Sequence, residues 1–94
     1  MTADSSDKEV AAEIRRIDGL IQRRQVGEAR TLVDSLLMRH PDRTDAWLLA
    51  ARTHQLGGDY RGMLDAARRA LALEPKNPVA RFTEIEARMH AGDI

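Results

Sequence analysis

The sequence contains no cysteine. That excludes a disulfide scaffold, a thiolate zinc site and a cysteine nucleophile, and it leaves the redox compartment open. Aromatic residues are scarce: Trp47, Tyr60 and Phe82 are the three in 94 residues. Too few for a stacking platform, they speak against binding of single-stranded nucleic acid. Neither sign of charge dominates, since 15 Lys and Arg stand against 15 Asp and Glu. A zero balance gives no bulk electrostatic drive toward nucleic acid or an anionic membrane. The longest apolar run is Ala46 to Ala51, far short of the roughly 20 residues a membrane span needs. Met1 to Asp7 lack the basic flank and apolar stretch of a secretory signal, so cytoplasm is the default compartment. A chain of 94 residues has room for one small domain and none for a Rossmann or α/β-barrel enzyme.

Alanine is abundant and β-branched residues are few. This mix favours helix over sheet and lets helices approach closely. Residues 1–9 read as a disordered lead, closed by the capping-box pattern Ser6-Asp7-Lys8-Glu9. Val10, Ile14, Ile17 and Ile21 then recur at helical spacing. A second helix carries Ala29, Leu32, Val33, Leu36 and Leu37 and stops at His40-Pro41, because a residue before proline avoids the helical region. A third follows Asp42 with Trp47, Leu48, Ala50 and Ala51, and Gly57-Gly58-Asp59 breaks it. A fourth carries Met63, Leu64, Ala67, Ala70, Leu71 and Leu73 and ends at Pro75. Asn77-Pro78 reads as an N-cap with proline at the first helical position, opening a fifth helix with Val79, Phe82, Ile85 and Met89.

These helices have a period. One interval separates Pro41 from Pro75, Leu37 from Leu71, Gly58 from Gly92 and Asp59 from Asp93, and it spaces the series Ala12, Ala46 and Ala80. A fixed interval of this size, about 34 residues, signals a helical array. The chain divides into the lead, a repeat at 10–43, a repeat at 44–77, and a single helix or half repeat at 78–94.

The middle unit resembles a tetratricopeptide repeat, a helix–turn–helix of about 34 residues. Trp47 stands at that family's Trp position and Ala51 at its small-residue position. Gly58-Asp59-Tyr60 matches its inter-helix turn, and Ala70 through Asn77 match its closing Ala-Leu-x-Leu-x-Pro-x-Asn. The first unit departs from the pattern: Glu13 replaces the Trp, Ile17 and Leu36 replace small residues, and Arg24-Gln25-Val26 replaces Gly-Asp-Tyr. The third has Arg81 at the Trp position. The resemblance implies an all-α, right-handed helical-repeat solenoid of five antiparallel helices.

It also implies a non-catalytic interaction scaffold, whose first helix in each repeat lines a concave groove for a peptide or helix. By position these residues are Ala11, Ile14, Arg15, Asp18 and Gln22; then Asp45, Leu48, Leu49, Arg52 and Gln55; then Val79, Phe82, Glu86 and Met89. Ile14, Leu48, Phe82 and Met89 make an expected apolar stripe, with Arg15 and Arg52 beside it. One subfamily clamps the C-terminal carboxylate of chaperones with Lys, Asn and Arg. Here those positions hold Ile14, Asp18, Leu49, Val79 and Thr83, so no such clamp is expected. The alternatives are a docking or regulatory segment of a larger enzyme, such as a transferase, and a self-association module pairing through the C-terminal helix.

Catalytic and metal chemistry find little support. His40 sits at a helix C-terminus, where a partly charged imidazole suits the dipole. His54 shares a face with Trp47 and reads as a packing residue with one hydrogen bond. Glu86 and His90 are four positions apart but lack a second metal-binding pair. Gly57 to Gly62 is glycine-rich yet lacks the Gly-Lys-Ser/Thr of a phosphate loop and follows a helix, so it reads as a turn. Ser5, Ser6 and Ser35 lie in no nucleophile motif. No cofactor, metal, nucleic acid or membrane is expected, and the partner expected is another protein or peptide. Nearly all of the 15 cations are Arg, a residue suited to bidentate carboxylate pairing.

Overall fold

The computed structural model describes residues 2–92, which form five α-helices and no strand. They are α1 (Thr2–Gln22), α2 (Val26–Arg39), α3 (Thr44–Leu56), α4 (Tyr60–Leu73) and α5 (Pro78–His90). The period appears in the element boundaries. Helices α1, α3 and α5 end at positions 22, 56 and 90; α2 and α4 start at 26 and 60; α3 and α5 start at 44 and 78. α1 begins at Thr2, where the sequence suggests an irregular lead over 1–9. Nothing between Thr2 and Glu9 breaks a helix, and acidic residues near an N-terminus favour one through the dipole. The Ser6–Glu9 capping pattern therefore falls inside the helix instead of starting it. Asp93, expected with Gly92 to open a new turn, lies outside the described residues.

The turn after each odd-numbered helix has one backbone solution. Arg24, Gly58 and Gly92, each one period from the next, all take positive φ, at 61°, 79° and 76°. Such a left-handed residue lets the chain reverse while the last carbonyls of the helix are satisfied. Thus the Gln25 amide donates to the Leu20 carbonyl at 2.9 Å, and the Asp59 amide to the His54 carbonyl at 2.8 Å. Glycine suits this conformation; Arg24 adopts it at a steric cost. The helix starts differ more. The Asp59 carboxylate accepts from the Gly62 amide at 2.9 Å and Asn77 Oδ1 from the Ala80 amide at 3.0 Å, with Pro78 as expected at the first helical position. Gln25 and Arg43, at the equivalent places, provide no side-chain cap.

Each helix packs on its chain neighbours, and α3 also touches α1 and α5. The two even helices do not meet each other, nor do the first and last. The odd helices therefore form one contiguous row. Tyr60, at the start of α4, stacks its ring on His90, at the end of α5, with centroids 4.7 Å apart, so these two helices run antiparallel. The core is a continuous strip between the rows. Ile17, Leu36, Met63, Leu64 and Val10 are its largest wholly buried side chains, and alanines at 29, 46, 51, 67, 70, 80 and 87 are sealed from solvent. Burying each large side chain contributes about 1.5–3 kcal/mol.

The α3–α4 turn has no room for a side chain at Gly62: a Cβ there would stand 2.7 Å from His54 Nδ1 and 2.6 Å from Asp59 Oδ2. His54 itself packs half-buried with Asp59 Oδ2 at 3.2 Å from its Nδ1. Trp47 is also half-buried; its indole N–H donates to the Pro41 carbonyl at 2.8 Å, and the Arg69 guanidinium lies 5.3 Å from its ring.

Candidate functional site

The contiguous row of α1, α3 and α5 presents a concavity of about 330 Å³, lined by Ile14, Arg15, Asp18, Asp45, Leu48, Leu49, Arg52 and Val79. Every one of these residues is among those expected on the groove face from the tetratricopeptide resemblance. Helical geometry explains the convergence. Ile14, Arg15 and Asp18 fall on one face of α1 at spacings of one and three, and Asp45, Leu48, Leu49 and Arg52 on one face of α3. α1 and α3 run side by side at the same phase of the period. Asp18 and Arg52, one period apart, are joined by a hydrogen-bonded ion pair. Gln22 Nε2 also donates to Asp18, at 3.2 Å. Leu49 is buried at the floor, while Ile14 and Leu48 remain half-exposed to an occupant.

Two further hollows adjoin this one along α3. Asp45 and Leu48 are shared with a hollow of about 350 Å³ that also touches Asp42, Arg43, Thr44, Glu74 and Asn77. Arg52 is shared with one of about 310 Å³ lined by Ile21, Arg24, Gln55 and Leu56. The three follow one another along α3 from its start to its end and are called together the cleft along α3.

The remaining expected groove residues are placed otherwise. Gln55 lines the adjoining hollow rather than the central one. Ala11, Gln22, Phe82, Glu86 and Met89 line none of the three. Phe82 and Met89 are instead 61% and 63% exposed, forming with Val79 and Ile85 an apolar face on α5. The physical reason lies in the neighbours. Ile17 and Ala51, at the position equivalent to Ile85, are buried in units that each have a second helix, whereas α5 has none among the described residues. Of the expected apolar stripe, Ile14 and Leu48 thus line the concavity, Phe82 and Met89 lie on the exposed face of α5, and Val79 belongs to both. The acidic end of the cleft at Asp42 and Glu74, and Arg24 at its other end, were missed by sequence reading. The repeat marks Arg24 as a turn position, one full period before Gly58, but carries no signal that it lines a hollow.

Electrostatics around the cleft are those of exposed pairs. Arg43 grips Asp45 with two hydrogen bonds, at 3.1 and 2.9 Å, and reaches Asp7 at 3.4 Å. These contacts, the Asp45 hydrogen bond first, raise the Arg43 pKa above its ordinary value. Among the described residues no group of three His, Asp or Glu stands close enough to hold a metal, and no buried side-chain polar atom lacks a partner. No described helix is long and apolar enough to cross a membrane. No family model, curated protein or solved structure matches the chain.

Proposed function

We propose that this chain is a non-catalytic interaction scaffold of tetratricopeptide-repeat type, a right-handed solenoid of two and a half units that binds a peptide or helix in the cleft along α3. The observation that carries this reading is the convergence of Ile14, Arg15, Asp18, Asp45, Leu48 and Arg52 in one concavity. A stacked array leaves such a surface on its inner row of helices. The left-handed turn residues at Arg24, Gly58 and Gly92 support the array, because they repeat the same chain reversal at a fixed interval. Selection of a random peptide library on the immobilised protein tests the reading. Enriched peptides are expected to bind the wild type with micromolar affinity and to lose at least tenfold on Leu48→Glu. Failure to enrich any sequence, or equal binding to Leu48→Glu, would sink it.

A second reading, self-association through α5, is favoured by the exposure of Phe82, Ile85 and Met89, since contiguous exposed apolar surface tends to find a partner. Light scattering over a concentration series is expected to show dimer for the wild type and monomer for Ile85→Glu. A wild-type monomer at millimolar concentration removes this reading.

A further inference from the structure

The cleft along α3 has opposite charge at its two ends, and we infer that its occupant is a short extended peptide with a cation at one end, an anion at the other and aliphatic side chains between. This rests on the groove reading above. Four ionised groups line the end near the start of α3, and three of them, Asp42, Asp45 and Glu74, are acidic. Arg43, the fourth, is already bound to Asp45, which leaves Asp42 and Glu74 to face an incoming cation. Lys76, on the same turn as Glu74, does not line this hollow. The opposite end, near Leu56, is lined by Arg24 and Arg52 and by no acidic residue. Arg52 is held by Asp18, so Arg24 supplies the uncompensated charge.

The middle sets aliphatic Ile14, Leu48, Leu49 and Val79 beside Arg15, Asp18, Asp45 and Arg52. Asp18 holds Arg52 and Asp45 holds Arg43, so the charge left there is that of Arg15, which joins none of the ion pairs among the described residues. The α3 dipole opposes this polarity with about half a charge at each end, less than the excess at either. A helix of 13 residues is about 20 Å long, which an extended chain of about six residues covers. The charges are exposed, so they select among ligands more than they hold them.

Three end-capped hexapeptides with a common Leu-Ala-Leu-Ala centre test the inference by fluorescence anisotropy at low salt: one with Arg and Glu at its ends, one with Arg at both, one with Glu at both. The wild type is expected to bind the mixed peptide about fivefold tighter than either of the others, as exposed ion pairs allow. The double variant Asp42→Lys with Glu74→Gln is expected to prefer the peptide with two Glu ends. Arg24→Gly, which keeps the backbone conformation the turn requires, is expected to bring the mixed and two-Arg peptides within twofold of each other.

Equal binding of all three to the wild type, an unchanged order in the double variant, or no binding of any of them overturns the inference. The groove reading is judged separately by Leu48→Glu. If hexapeptides that bind the wild type bind this variant equally well, the binding lies outside the cleft and both readings fall.

Discussion

The first pair of helices buries Ile17, Val33 and Leu36 and half-buries Leu32, whereas one period later the second pair holds Ala51, Ala67, Ala70 and Ala66. The element boundaries coincide under the shift, yet the means of closure differ. In the first unit large aliphatic side chains fill the interface. In the second, small residues stand at those four positions, the bulk comes from Met63 and Leu64 at the places of Ala29 and Arg30, and Gly62 admits the His54 ring where the first unit has the exposed Glu28. The second unit also has its turn residue in glycine, and the helices α4 and α5 have side-chain caps that α2 and α3 lack. Interaxial distance follows the size of the side chains at the contact. A single backbone period thus accommodates two packing solutions, and residues should not be exchangeable between them.

The largest expected effects come from exchanging residues across the period. Leu36→Ala leaves a cavity in the first unit and is expected to cost about 3 kcal/mol. Ala70→Leu forces extra volume into an interface with no room and is expected to cost about 1–3 kcal/mol. Urea unfolding followed by circular dichroism measures both. If Ala70→Leu proved neutral, the second unit would not be closely packed and the contrast would fail.

The turns give a smaller, two-signed effect. Gly58→Arg places a side chain in the left-handed region and is expected to destabilise by about 1–2 kcal/mol. Arg24→Gly relieves the same strain but adds freedom to the unfolded chain, so the expected gain is about 0.5 kcal/mol. A loss of stability in Arg24→Gly would mean that the arginine side chain offsets its backbone strain by contacts of its own.

Much of this was legible in the sequence because a helical array is written by local signals. Pro41, Pro75, Asn77-Pro78 and Gly57-Gly58 act within a few residues of themselves, and the structure ends or begins helices beside each of them. The start of α1 was not legible, since the absence of a breaker over residues 2–9 does not itself announce a helix. Ile14, Arg15, Asp18, Asp45, Leu48 and Arg52, grouped by the resemblance, line one concavity because they share a helical phase on two helices one period apart. Phe82, Glu86 and Met89 share that phase on α5 but line none of the three hollows, because what lies beside a helix is not written in the phase of its residues. The ends of the cleft combine residues from different units, the turn residues Asp42 and Glu74 at one and the turn residue Arg24 with Arg52 of α3 at the other, a juxtaposition that no spacing within one helix reveals.

The smallest expected effect separates the units by pH. At the position where the second unit has Trp47, the first has Glu13, which accepts two hydrogen bonds from Arg39 at the end of α2, at 3.1 and 2.6 Å. That bonding, ahead of the opposing desolvation, holds the Glu13 pKa below its ordinary 4.5. Arg39 stays charged throughout, its own pKa raised by the same bond. With the folded value depressed, the unfolded chain binds the proton more readily, so stability from this contact rises with pH. It is fully present above the unfolded pKa and disappears as pH falls through the folded value. The pair is about a third to a half exposed, so solvent and salt screen it and its contribution is small. Trp47 closes the equivalent place with its ring and a neutral indole hydrogen bond, neither of which titrates. Comparison of wild type with Glu13→Gln is therefore expected to show a stability difference at pH 7 and low salt that diminishes as pH falls below the ordinary 4.5, and that shrinks in 1 M salt. Trp47→Phe, which removes only the indole donor, is expected to show a difference from wild type that does not change between those conditions. If Glu13→Gln showed a difference equally independent of pH, the two units would be closed by the same kind of force at this position.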